Sequence, residues 1–105
     1  MSRFRLTREA TEDILSIYLQ GHDRFGPQQA DRYHDELEIL FGRLADFPRM
    51  GRLMAEFHPP IRVFAHKAHV ILYDVVSDGV VIQRVRNARE DWWGDTADAH
   101  EDLEP

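Results

Sequence analysis

The chain has 105 residues, 43% of them hydrophobic, and carries 13 basic against 19 acidic side chains for a formal net charge of −6. That length fits one domain with a modest core, and the lack of cysteine excludes disulfides and thiolate metal sites. No apolar run approaches a membrane span, and MSRFRLTREA lacks the apolar stretch of a signal peptide, so a cytoplasmic protein is expected.

The charge is unevenly spread. Glu90–Pro105 holds seven acids and no lysine or arginine, while residues 1–89 are near neutral with 13 basic and 12 acidic groups. Twelve of the basic residues are arginine, and Lys67 is the single lysine. Arginine presents a planar fork suited to carboxylate and phosphate. The acidic run reads as a solvated tail, or as a competitor for the arginines of the body against an acidic partner. The expected division is a domain over residues 1–93 and an acidic tail over 94–105.

In chain order, Phe4-Arg5-Leu6 alternates and suits a short edge strand. Thr7 suits a helix N-cap. Ala10, Ile14, Ile17, Tyr18 and Gly21 then recur at helical spacing, with Leu15 and Leu19 widening the apolar arc, so a helix is expected over Arg8–His22. After a loop at Asp23–Gly26, Pro27 belongs at the first position of a second helix, with Gly26 as its cap. Gln29 is placed to bond back to the cap and Phe25 to staple onto Ala30. The stripe runs through Tyr33, Leu37, Leu40, Phe41 and Leu44 until Pro48 stops it. A loop this short makes the two helices an antiparallel hairpin.

Arg49–Pro60 reads as irregular, punctuated by Gly51, Pro59 and Pro60 and pinned by Met54 and Phe57. Three short strands follow at Ile61–His66, His69–Val76 and Val80–Arg86, and their tight connections make them antiparallel. With Lys67-Ala68 and Asp78-Gly79 as two-residue turns, Arg62 falls opposite Tyr73 and Tyr73 opposite Arg84. One face then collects Arg62, Phe64, His66, Ile71, Tyr73, Ile82, Arg84 and Arg86. The other collects Val63, Ala65, Val70, Leu72, Val76, Val81 and Val85, and its smooth apolar character predicts that the helices cover it. A one-residue slip in either turn reverses the assignment.

On this register Arg62, Tyr73, Arg84 and Arg86 form a cationic row that invites an anion. That anion is the backbone of a nucleic acid, a scissile phosphate or an acidic peptide. The bland alternative is surface pairing of Arg84 and Arg86 with Asp74, Glu90 or Asp91. A nuclease needs proton transfer near the phosphate, for which His66 and Tyr73 are the candidates. His58, His66 and His69 lack a carboxylate at metal-ligand spacing, so neither metal nor cofactor is expected. Trp92-Trp93 reads as one ring capping the core beside one exposed or stacked on an arginine.

Pieces of the chain, in order, resemble the ParE branch of the RelE/ParE toxin superfamily. They are Phe4-Arg5-Leu6-Thr7; Phe25-Gly26-Pro27-Gln28-Gln29-Ala30 with Tyr33; Leu44-Ala45-Asp46-Phe47-Pro48-Arg49-Met50-Gly51-Arg52; Arg62; His69-Val70-Ile71-Leu72-Tyr73; and Arg84-Val85-Arg86-Asn87-Ala88-Arg89-Glu90-Asp91-Trp92. The resemblance fades after about Trp93. It implies an α+β fold of order β-α-α-β-β-β, a helical hairpin on one face of a small, mainly antiparallel sheet. It also implies the toxin of a type II toxin–antitoxin module, neutralised by a ParD-like antitoxin whose other part binds operator DNA. ParE-like toxins poison DNA gyrase without a reaction of their own, whereas RelE-like relatives cut messenger RNA on the ribosome.

The near-absence of lysine, and Asn87-Ala88-Arg89 where RelE-like chains resemble one another in a tyrosine or histidine, favour the gyrase reading. A ribosome-dependent nuclease using Arg62, Tyr73, Arg84 and His66 is the alternative, and a degenerate, inactive toxin is a third. The residues expected to meet antitoxin or target are Arg62, Phe64, Tyr73, Ile82, Arg84, Arg86 and Arg89.

Overall fold

Thr7 decides where the first strand stops and the first helix begins. In the computed structural model, which describes residues 3–90, β1 (Arg3–Leu6) leads through Thr7 into α1 (Arg8–Phe25). The Thr7 hydroxyl accepts the Ala10 N–H at 3.0 Å, as an N-cap should. It also donates to the Gln83 carbonyl at 2.8 Å, tying the cap to a distant strand. α1 runs past the expected end at His22, so Gly26 alone joins it to α2 (Pro27–Asp46). Gly26 has a φ of 90°, a backbone state that side chains disfavour, and its N–H closes on the His22 carbonyl at 3.0 Å. Pro27 starts α2 as expected, but the cap makes no side-chain bond and Phe25 is 62% exposed, so the anticipated staple covers little.

The stretch read as irregular contains a one-turn 3-10 helix (Pro48–Met50) and a short strand, β2 (Arg52–Met54). Three residues are too few for alternation to register as a strand signal. Met54 and Phe57 are buried and do pin the segment. β3 (Ile61–His66), β4 (His69–Val76) and β5 (Gly79–Asn87) follow. The five strands lie in the order β1-β5-β4-β3-β2. β1 is an edge strand parallel to β5, and the other pairings are antiparallel. This is the α+β, mainly antiparallel architecture expected from the sequence. No described helix is long and apolar enough to cross a membrane.

The β3–β4 register matches expectation, with Arg62 opposite Tyr73. The β4–β5 register does not. Val76 pairs with Gly79, so Ser77-Asp78 form the turn, and Tyr73 faces Ile82 where Arg84 was expected. A bulge then leaves Gln83 unpaired, and Leu72 faces Arg84. Gly79 is a glycine for a different reason: a methyl group there would overlap the Arg3 carbonyl of the neighbouring β1. The two-residue shift keeps Ile82 on the side of Tyr73, while the bulge sends Arg84 and Arg86 to the opposite side and brings Val85 to this one; the helices cover this side, and not the smoothly apolar one expected. Phe64, Ile71, Tyr73, Val80, Ile82 and Val85 pack against Ala10, Ile14, Leu37, Leu40, Phe41 and Leu44 of the hairpin. Val85 joins Ile82 there, three residues away, because the bulge adds one residue to the count.

Val63, Val70 and Leu72, expected beneath the helices, lie on the other side of the sheet. There they form a second, smaller core with Met54, Phe57 and Ile61. The fold therefore buries apolar side chains on both faces, and each large one contributes roughly 1.5–3 kcal/mol.

Candidate binding surface

The expected cationic row is divided between the two faces of the sheet. Arg62 lies on the helix side, where its Nη1 donates to the Gly51 carbonyl at 2.8 Å. Next to it the Tyr73 hydroxyl donates to the Pro48 carbonyl at 2.6 Å and accepts the Gly51 N–H at 2.8 Å. Tyr73 is 0% exposed, and burial pushes its phenol above the ordinary 10.0, against the opposing pull of the Gly51 amide and the Arg62 charge. A neutral phenol suits both bonds. Ile82 is fully buried and Phe64 packs against the same core. These four residues hold the sheet, the 3-10 turn and the hairpin together.

Arg84 and Arg86 lie on the outer face, opposite Leu72 and Val70. Both reach around the edge of β5 toward Asp13 of α1. Arg84 donates to it through Nε at 2.8 Å and Nη2 at 2.9 Å, Arg86 Nη1 stands 3.7 Å away, and the Val85 N–H donates at 3.0 Å. Asp13 thereby closes the strip of β5 left open where β1 ends. Its side chain is 12% exposed, so the pairing is better shielded than an ordinary surface bridge. Arg86 also donates to Glu90 at 2.7 Å, one of the pairings foreseen. Arg89 is exposed at the end of β5.

Sequence reasoning missed Arg52 because it missed β2. Arg52 pairs with Val63, Val63 with Leu72, and Leu72 with Arg84. Residues so paired share a face, so one row crosses four strands with a guanidinium at each end and hydrocarbon between, about 14 Å at the usual strand spacing. Asp13 was also overlooked. A carboxylate next to Ile14 in an otherwise apolar arc was the available signal, since acids near a core are seldom without a partner.

A second surface adjoins this one. A cleft of about 570 Å³ opens between the hairpin and the β3–β4 turn, with Ile14, Ile17, Ala30 and Leu37 among its apolar walls and Arg24, Arg32 and Lys67 among its cations. At its end lies a polar cluster. The Tyr33 hydroxyl is 2.7 Å from His69 Nδ1. Burial, and then the charge of His66, lower the His69 pKa below 6.5, while Glu90 opposes. Burial, and then Glu36, push Tyr33 up to about 12. Tyr33 is therefore the donor and neutral His69 the acceptor. His66 stacks on Tyr33 and lies 3.5 Å from Glu36, which also takes both hydrogen bonds of Lys67 at 2.7 and 3.0 Å. His66 thus sits with α2, remote from Arg62 in function and contact. Asn87 lines the cleft, so cleft and outer face meet at the end of β5, beside Arg86 and Arg89. Among the described residues no group of three or more His, Asp or Glu is placed to hold a metal ion. The Trp92-Trp93 reading lies outside the described residues.

The chain matches the family model described as the ParE toxin of the type II toxin–antitoxin system, parDE, over residues 4–92. It is 33% identical over 91 residues to Toxin ParE1 of Mycobacterium tuberculosis, covering 86% of this chain and 93% of that one. To Toxin ParE3 of Caulobacter vibrioides it is 30% identical over 89 residues, 85% of this chain and 89% of the other. In fold it is similar to a solved chain from the chromosomal ParDE TA system from P. aeruginosa, with a TM-score of 0.69 at 19% identity, over 83% of this chain and 96% of that one.

Proposed function

Because the chain belongs to the ParE toxin family of type II toxin–antitoxin systems, we propose that it acts in the cytoplasm by binding, that its target is DNA gyrase, and that a ParD-like antitoxin neutralises it. Through that antitoxin it contacts operator DNA indirectly. The observation that carries the binding reading is the division of the cationic row. A nuclease of the alternative type would gather Arg62, Tyr73, Arg84 and His66 around one phosphate. Here Tyr73 and Arg62 are engaged beneath the helices, Arg84 is held by Asp13 on the other side, and His66 is stacked on α2.

What remains accessible suits a peptide. Arg52 and Arg89 are exposed at the two ends of the outer face, and the adjoining cleft has hydrocarbon walls among cations. An acidic, amphipathic antitoxin segment running from the cleft around the end of β5 meets both, with ordering entropy lost on binding offset by the large surface covered. Purified gyrase in a supercoiling assay tests the target. Inhibition that is relieved by antitoxin is the expected outcome, and normal turnover at saturating toxin overturns it.

A further inference from the structure

The end of the hairpin away from the cleft carries apolar side chains that the fold does not bury. Ile39 is 66% exposed, Phe47 64%, Leu53 51% and Met50 38%. Ile39, Arg43 and Phe47 recur every four residues, so they follow one outward stripe of α2 into its C-cap. Leu53 stands opposite Arg62 and Arg62 opposite Tyr73, which puts Leu53 on the helix side of the sheet. It is open there because α2 has already ended at Asp46. Arg43, Arg49 and Arg62 come to the same end, and no ion pair among the described residues includes them. Arg62 is bonded only to the neutral Gly51 carbonyl. From Ile39 to Arg62 the chain has four arginines against two acids, Asp46 and Glu56, in a chain whose net charge is −6. The turn that presents these groups is stiff, since the Tyr73 hydroxyl holds both Pro48 and Gly51. A surface held in this way loses little conformational freedom when it is covered. None of the four apolar residues lines the cleft. β2 pairs with the first half of β3, away from the β3–β4 turn where the cleft opens.

We propose that this end of the molecule, centred on Phe47 and Met50 with Arg43 and Arg49 beside them, is the docking surface for the target and is separate from the surface that the antitoxin covers. The partner it fits is a folded protein that presents an apolar protrusion ringed by carboxylates. Its hydrocarbon covers Phe47, Met50 and Leu53, and its acids meet guanidiniums that the fold leaves without a countercharge. Aliphatic side chains such as Ile39, Met50 and Leu53 offer no ring for bases to stack on, which favours a protein over a nucleic acid. The assignment rests on the binding reading given above, in which the antitoxin takes the cleft and the end of β5. A bound antitoxin then excludes the target by its bulk beside this surface.

The test uses the full chain, purified gyrase as the target probe, and two variants at exposed positions, Phe47→Ala and the double variant R43Q/R49Q. Urea midpoints equal to wild type establish that both fold, and Met50→Ala replaces Phe47→Ala if that variant is destabilised. Phe47→Ala is expected to raise the concentration for half-inhibition of supercoiling about tenfold or more, as loss of an interface anchor does. R43Q/R49Q is expected to raise it about two- to fivefold, the scale of exposed ion pairs. Affinity for the antitoxin stays within about twofold of wild type at salt of about 0.15 M, where charges are screened beyond about 8 Å. Inhibition unchanged in both variants overturns the surface and leaves the gyrase reading standing. Antitoxin affinity that falls in step with inhibition assigns the surface to the antitoxin and overturns the proposal. So does binding of plain duplex DNA that R43Q/R49Q loses and Phe47→Ala keeps. If wild type leaves gyrase turning over, the gyrase reading falls, and growth arrest on expression without antitoxin becomes the readout. Arrest lost in both variants at equal protein level then supports the surface against another target. Arrest retained overturns it, as does a wild-type chain that arrests nothing.

Discussion

At the scale of single residues, the segment between α2 and β2 depends on one phenol. Tyr73 is the meeting point of the Gly51 N–H and the Pro48 carbonyl, and Gly51 has no room for a methyl group beside that hydroxyl. Tyr73→Phe leaves both backbone groups unsatisfied in a buried place, and the expected loss is about 1–3 kcal/mol of unfolding free energy. Gly51→Ala forces the ring aside at a similar cost of about 1–3 kcal/mol. Urea denaturation of the two variants checks this, and unchanged midpoints would contradict the network.

His69 supplies the pH dependence. Its folded pKa lies below the unfolded 6.5, so the unfolded chain binds the proton more readily. Stability is complete above pH about 6.5 and falls as pH drops from there toward the folded value. The Tyr33 donor loses its acceptor in the same window. Urea midpoints measured from pH 8 to 5 should fall, and the fall should flatten in His69→Gln. Glu36, lowered chiefly by its hydrogen bond with Lys67, acts in a separate window below its ordinary 4.5.

Among elements, the β4–β5 hairpin decides the architecture. Its strands were legible because alternation and β-branched residues are local signals. Its register was not. Asp78-Gly79 has the chemistry of a tight turn, yet Gly79 serves the approach of β1, and the turn forms one residue earlier. The extra residue, Gln83, is held by partners from elsewhere: its carbonyl accepts from Thr7 and its amide donates to Asp74. Inserting one residue after Gln83 should therefore be far worse than replacing Gln83. With a one-residue bulge retained, the insertion would bring Arg84 to the position of Val85 beneath the helices, placing a charge in the core at a cost of several kcal/mol. Gln83→Ala keeps the register and should cost about 1 kcal/mol. Thermal melts of the two variants separate these outcomes. Equal melting temperatures would show that the bulge does not set the face.

For the whole molecule, the arginine-edged face and the cleft form one continuous surface around the end of β5. Charges at such a rim act mostly on encounter. Arg52→Glu should slow association with an acidic antitoxin by about one decade at low salt, and high salt should shrink the difference. Stopped-flow mixing at two salt concentrations checks this. An effect confined to dissociation would move Arg52 from the rim into the buried centre of the interface. The same face would also have been missed by any reading that kept the original register, since Arg52 and Arg84 share a row only through Val63 and Leu72.

Much of this protein followed from the amino-acid order alone: the strand, the capped helical hairpin, the three-strand meander and their succession. These arise from periodicity, proline and capping, which act between neighbours a few positions apart. Tertiary structure decided which side of the sheet meets the helices, and with it which arginines are structural and which are accessible. The division of the arginines between the two sides turns on one bulged residue, Gln83, whose carbonyl is held by a hydroxyl 76 positions away in sequence. Pleated strands invert their faces with each single step, so so small a shift redistributes every side chain beyond it.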